Sequence, residues 1–145
     1  MRTVVQRVRS ASVAVDERVV SEIGRGMLVL AGFTATDGEE TLGWMAEKLL
    51  TLRLFAGEDG RMDRDLAEVG GEMLVVSQFT LYGDVSRGRR PSFANAAPPD
   101  VARDLYARFL DGCRAGAVPV ASGEFGAVMS VRLVNDGPVT LIIDR

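Results

Sequence analysis

Apolar and polar side chains alternate from the start of the chain. Val4, Gln6 and Val8 fall on one side and Thr3, Val5 and Arg7 on the other, the period of two that marks a β-strand. Ser12 to Val15 and Val19 to Ile23 flank Asp16-Glu17-Arg18 and predict a hairpin. The run MLVLAGF, residues 27–33, is apolar throughout, as in a strand buried on both faces. The period then changes: Leu42, Met45, Leu49 and Leu52 recur at helical spacing and predict an amphipathic helix over about residues 38–52. AGEDGRMD, residues 56–63, reads as a polar loop, and Met73 to Phe79 as a second buried strand.

Val101, Leu105, Phe109 and Cys113 share one face of a second predicted helix. Pro98-Pro99-Asp100 opens it with prolines and an anion, and Gly112 and Gly116 end it. Two alternating strands, 128–134 and 139–144, close the chain around NDGP. Asp-Gly there is a hairpin signal, but Pro138 has no N–H for the first paired position. Gly-Pro is also a bond whose cis form costs only about 0.5–1 kcal/mol. Strands, helix, strand, helix and strands in that order predict one α/β domain, residues 1–145, with a mixed sheet.

At 145 residues with 47% hydrophobic content, the chain can bury one real core and is too short for two comfortable domains. It has no apolar run of membrane-spanning length and no signal-peptide block, so the expectation is a soluble cytoplasmic protein without a membrane partner. The single cysteine, Cys113, excludes an internal disulfide and suits a reducing compartment. Net charge is −3, so a nucleic-acid partner needs a local basic patch.

The composition is most informative in what it omits. There is no histidine, which removes the Ser-His-Asp triad, the Cys-His pair and the HExxH zinc site. No metal and no cofactor is expected. Asp59, Asp63 and Asp65 surround Gly60 without the ligand order of an EF-hand. Catalysis must come from carboxylates, hydroxyls, backbone amides or the substrate.

Two stretches offer such groups. EMLVVSQF turns abruptly polar at its end, and the mouth of a buried strand is a common ligand site in α/β sheets. Ser77 and Thr80 lack a base to make either a good nucleophile; donors over residues 77–80 suit orientation of a carbonyl that becomes negative, or a strand end that satisfies its own turn, and this stretch alone favours the turn. The second stretch, DVSRGRRPSF, gathers Arg87, Arg89 and Arg90 beside an exposed aromatic, a candidate phosphate contact or a plain solvated loop. Phe125 and Met129 lie in strand context, where core packing competes with stacking on a base.

Taken together, VVSQFTLYGD, RGRRPSF, FGAVMSV and LVNDGPVT closely resemble the D-aminoacyl-tRNA deacylase (historically D-tyrosyl-tRNA deacylase) family. VVQRV and SASV near the N-terminus and GGEMLVVSQ fit as well, so the resemblance spans nearly the whole chain. Asp63 in RMDRDL departs from the asparagine of many members, outside the SQFT and NDGPVT motifs. The resemblance implies a partial barrel with two main helices, and hydrolysis of the ester between a D-amino acid and tRNA, with glycyl-tRNA as a further substrate. It also implies a homodimer in which a cis Gly137–Pro138 enters the partner's active site and presents two carbonyl oxygens to the α-carbon region. An L side chain is rejected there, a specificity by exclusion.

On the same basis Ser77, Gln78, Phe79 and Thr80 form the opposite wall, with the Phe79 N–H and the Ser77 hydroxyl polarising the ester. Phe125 and Met129 then contact the terminal adenosine, Arg87, Arg89 and Arg90 meet phosphates, and Arg7 helps hold the Gly-Pro orientation. Attack by Thr80 competes with water assisted by the tRNA's 2′-hydroxyl, and the absence of histidine favours the second. The rival functions are a non-catalytic binder of the aminoacyl-tRNA end and a general esterase using Thr80.

Overall fold

The computed structural model describes residues 1–145, and one long strand organises its sheet. β1 (Arg2–Val15) pairs along one edge with β8 (Ser130–Asp144), antiparallel. Its other edge is shared. β3 (Gly26–Gly32) takes the stretch Arg2–Val8, and β2 (Arg18–Ile23) takes Ala11–Val15. The strand of residues 3–8 and the first arm of the predicted hairpin are thus one element. Asp16 and Glu17 turn the chain at φ of 48° and 65°.

Beyond β3 the sheet becomes parallel, through β6 (Glu72–Ser77) and then β7 (Val120–Ser122). Parallel neighbours need long crossovers. α1 (Glu39–Thr51) lies in the first and α2 (Pro99–Arg114) in the second. The Ser21 hydroxyl donates to the Ser122 carbonyl at 2.9 Å, which draws β2 towards β7 and nearly closes the sheet. The architecture is the expected α/β domain: a mixed, barrel-like sheet with two main helices.

Because β3 and β6 sit mid-sheet, their alternating residues feed two cores. Met27, Val29, Met73 and Val75 face the helices, against Met45, Leu49, Leu105 and Phe109. Leu28, Leu74 and Val76 fill the other side with Val8, Val13 and Ile23. Complete burial of each such side chain contributes about 1.5–3 kcal/mol. The unbroken apolar runs are the sequence trace of strands covered on both faces.

Several local expectations change. Val101 is 37% exposed, and the buried stripe of α2 runs through Ala102, Leu105, Tyr106, Phe109, Leu110 and Cys113. Gly112 does not end α2, which runs on to Arg114; it faces Ala46 of α1, whose β-carbon would lie 3.4 Å from one at Gly112, an ordinary contact. Residues 56–63 are not a bare loop, because β4 (Phe55–Ala56) and β5 (Met62–Arg64) form a small separate hairpin.

The largest correction concerns NDGP. Residues 130–135 and 140–144 do not pair with each other; both pair with β1. The ladder steps from Val8↔Asn135 to Gln6↔Thr140, so Asp136–Val139 bulge out of one continuous strand. A fourteen-residue neighbour offers partners to both halves, and that outweighs the local turn signal.

Candidate active site

β6 stops where its composition turns polar. The Gln78 N–H still donates to the Ala31 carbonyl at 2.7 Å, then a 3₁₀ turn, Phe79–Tyr82, replaces the strand. The turn packs onto Gly32, whose β-carbon would lie 3.0 Å from the Gln78 oxygen, so a side chain there would push it away. Leu81 N–H makes the first bond of the turn, to the Gln78 carbonyl. The N–H groups of Phe79 and Thr80 precede it and have no partner within the turn, as at any helix start. The strand of residues 73–79 is therefore shorter than predicted, and its last residue belongs to a donor-bearing turn.

A cavity of about 850 Å³ opens at this end of β3 and β6. Ser77, Gln78 and Phe79 form one wall, and Phe125 and Met129 another. Most of the remaining lining is apolar, including Phe33 and Val76 at the base and Phe93 at the rim. A greasy slot with a few polar groups is the usual form of a small-ligand site.

Phe125 and Met129 lie in the turn between β7 and β8, not in a strand. The Phe125 ring packs on Tyr106 with centroids 5.8 Å apart, and the Arg103 guanidinium lies 4.8 Å from the Phe125 centroid. Tyr106 in turn donates its hydroxyl to the Val75 carbonyl at 2.9 Å, and burial pushes its pKa up to about 12. Helix α2 thereby fixes one wall of the cavity against β6.

Thr80 is exposed and does not line the cavity; its hydroxyl oxygen accepts from the Gln78 side-chain amide. An amide cannot serve as a base, so this contact does not activate the hydroxyl. Arg87, Arg89 and Arg90 are exposed on a loop outside the lining. Its base is closed by reciprocal backbone bonds between Asp84 and Ser92, at 2.7 and 2.9 Å. The Ser86 N–H, donating at 2.8 Å, holds the Asp84 carboxyl below its ordinary range. From that loop the chain enters Phe93, edge-on to Phe79 with centroids 5.0 Å apart.

Gly137 and Pro138 are exposed on the β8 bulge, away from this chain's own cavity, and the bond between them is cis. Asn135 spans the base of the bulge, accepting from the Val139 N–H at 2.8 Å and donating to the Val139 carbonyl at 3.2 Å. Arg7, expected to steady this motif, donates to the Asp136 carbonyl at 3.1 Å, and Arg9 pairs with the Asp136 carboxylate at 3.1 Å. The protein thus gathers Ser77, Gln78, Phe79, Phe125 and Met129, and leaves Thr80, the three arginines and Gly137-Pro138 outside.

Three contributors were not singled out from the sequence by their own roles: Phe93, Tyr106 and Arg103. Phe93 carried a signal, as the aromatic beside the arginines. Tyr106 and Arg103 carried none, because on a helical pattern they are one core position and one surface position. No group of three or more Cys, Asp or Glu side chains is placed to hold a metal ion, and no helix is long and apolar enough to cross a membrane.

The profile of the family described as "D-Tyr-tRNA(Tyr) deacylase" matches residues 4–144. A D-aminoacyl-tRNA deacylase of Thermosipho africanus is 50% identical over 144 residues, covering 99% of this chain and 97% of the relative. One from Thermomicrobium roseum is 55% identical over 144 residues, covering 99% and 94%. Among solved structures, a protein named c-Myc DNA Unwinding Element Binding Protein is similar at 40% identity and a TM-score of 0.94, covering 100% of this chain and 99% of that one. A probable eukaryotic D-amino acid tRNA deacylase, 24% identical with a TM-score of 0.87 over 99% of this chain and 98% of that one, has the same fold. With a full-length profile match and relatives at half identity or more, the chain belongs to the D-Tyr-tRNA(Tyr) deacylase family.

Proposed function

We propose that this protein hydrolyses the ester bond of D-aminoacyl-tRNA, releasing tRNA and the free D-amino acid. The observation that carries the reading is the meeting of a polar strand end, Ser77-Gln78-Phe79, with Phe125 and Met129 across one apolar cavity. The first group suits an ester carbonyl, because the Phe79 N–H and the Ser77 hydroxyl can donate to an oxygen that gains charge. The second suits the terminal adenosine, an aromatic face and a thioether being ordinary partners of a base. Arg87, Arg89 and Arg90, exposed outside the cavity on the loop that leads into Phe93, suit phosphates further along the acceptor end.

Water is the nucleophile in this reading, assisted by the 2′-hydroxyl of the terminal ribose. It is supported by the contact of Thr80, which meets an amide and no base. Chirality is read by a second copy of the chain. Its Gly137 and Pro138 carbonyls cap the α-carbon of the amino acid, receive its ammonium when the centre is D, and collide with an L side chain. Glycyl esters, having no side chain, pass the same filter. The supports are the bulge, which leaves both residues exposed outside the lining of their own cavity, and the apolar side chains open on the same strand: Val134 at 51%, Leu141 at 38% and Ile142 at 67%. A homodimer through β8 covers that surface, and the enzyme works in the cytoplasm, where its substrate is made.

The test is single-turnover deacylation of matched D- and L-tyrosyl-tRNA, with Gly137→Ala beside the wild type. Gly137 has φ of +128°, and a β-carbon there would lie 2.9 Å from Arg7 Nη2, so alanine disturbs the bulge itself. Release from the D-ester alone, lost in the variant, is the expected result. Release from both esters would leave a general esterase, and binding without release would leave a reader of nucleic-acid ends.

A further inference from the structure

Arg103 stands on the outer side of α2, one residue after Ala102, which lines the cavity. Its guanidinium lies over Phe125, 4.8 Å from the ring centroid, and one of its nitrogens lies 3.8 Å from where a β-carbon of Gly126 would be. Phe125 and Gly126 both line the cavity, so the charge sits at the rim. Arg103 makes no ion pair of its own, and two nearby carboxylates are engaged elsewhere. Asp104 pairs with Arg108 at 3.1 Å, and Glu124 pairs with Arg18 at 3.9 Å. An exposed guanidinium already packed over an aromatic ring loses little further freedom when it binds, and its planar fork matches a phosphate.

We propose that Arg103 binds a backbone phosphodiester of the single-stranded 3′ end of the nucleic acid. It does so at the Phe125 side of the cavity. Two basic groups flank this cavity. The loop of Arg87, Arg89 and Arg90 leads in sequence into Phe93, which packs on Phe79, and Arg103 packs on Phe125. A strand whose last base rests near Phe125 and Met129 must send its sugar-phosphate chain over one of these flanks. Only Arg103 is packed directly on the residue that receives the base. Stacking and charge then come from one contiguous unit, the combination found in single-strand binding sites. The inference rests on the proposed function for the identity of the strand, and on the surface geometry alone for its phosphate chemistry.

Two substrates separate this role from a structural one. D-Tyrosyl-tRNA carries the phosphates, and 3′-D-tyrosyl-adenosine carries the ester and base without them. Arg103→Ala is expected to lower the ratio of kcat/KM for the tRNA to that for the adenosyl ester about five- to tenfold. It should also flatten the dependence of log Kd for uncharged tRNA on log salt by about 0.7, the value of one single-strand phosphate. Arg103→Lys should recover much of the salt slope, and Arg103→Glu should depress tRNA binding further. Equal losses on the two esters would overturn the proposal in favour of a packing role for Arg103 under Phe125. An unchanged salt slope would overturn it outright. If the wild type released neither ester, the proposed hydrolysis would fail, while the salt slope with uncharged tRNA would still decide for or against Arg103.

Discussion

Arg7 Nε donates to the Asp136 carbonyl at 3.1 Å, while Nη1 of the same guanidinium reaches the Leu54 carbonyl at 2.5 Å. One side chain of β1 therefore ties the β8 bulge to the segment that follows α1. The Asp136 carboxylate lies 3.4 Å from Nε, and the Arg7 side chain is only 13% exposed. A guanidinium can serve these divergent acceptors together, whereas a lysine ammonium is a point charge on a flexible stem.

Arg7→Lys is accordingly expected to cost about 1–3 kcal/mol of stability, through carbonyls left short of a donor. Urea titration measures that cost. Among molecules that remain folded, single-turnover release from the D-ester should fall more than tenfold, because the bulge loses its tether. A wild-type rate in stably folded Arg7→Lys would remove Arg7 from any positioning role.

Thr80→Ala distinguishes the two mechanisms. The Thr80 hydroxyl meets the Gln78 amide and lies outside the cavity lining, so its removal should slow single-turnover release by less than about tenfold. A catalytic nucleophile, by contrast, costs on the order of 10⁴-fold or more when removed. A loss of that size would establish attack by Thr80 and sink the assisted-water reading.

Phe93→Ala opens the rim. The Phe79–Phe93 edge-to-face pair accounts for about 0.5–1.5 kcal/mol beyond simple burial. Phe93 is 37% exposed, so global stability should change little, while Phe79 loses the contact that steadies its wall. The expected signature is a raised KM with a smaller change in kcat. A fall confined to kcat would place Phe93 nearer the reacting atoms than its position allows.

The alkaline limit of stability follows from buried neutral groups. Burial raises Cys113 from 9.0 to about 12 and Tyr106 from 10.0 to about 12, so both stay neutral in the fold at pH values where the unfolded chain ionises them. Their contribution is complete below about pH 9 and is lost as pH rises towards 12. Urea midpoints should be level up to about pH 9 and decline above it. In native protein at pH 8, Cys113 should resist a thiol reagent until denaturant is added; rapid labelling without denaturant would contradict its burial.

Much of the fold was legible because burial writes its own period. MLVLAGF and EMLVV announced strands covered on both faces, and Leu42, Met45 and Leu49 announced the inner face of α1. The SQFT segment was legible as chemistry only together with NDGPVT, because a polar strand end taken alone also serves the turn that follows it. NDGP was legible as a motif and misread as a turn. Asp-Gly between apolar runs is a local signal, while the choice of partner for each run is made by the whole sheet.

What the sequence determined by itself was composition and periodicity: one α/β domain, no histidine to activate a hydroxyl, and a polar end on β6. What only the tertiary structure decided was proximity. Phe125 and Met129 come to Ser77–Phe79 because β7 pairs parallel to β6 and the turn after it folds back over the strand end. Arg103 comes to Phe125 because α2 packs along that side, with the Tyr106 hydroxyl anchored on Val75. NDGP becomes an exposed bulge because β1 is long enough to pair with the strand on both sides of it. Periodicity is a property of each segment and can be read locally. Pairing is a competition among all segments for the same backbone donors and acceptors, and it is settled only when the whole chain is folded.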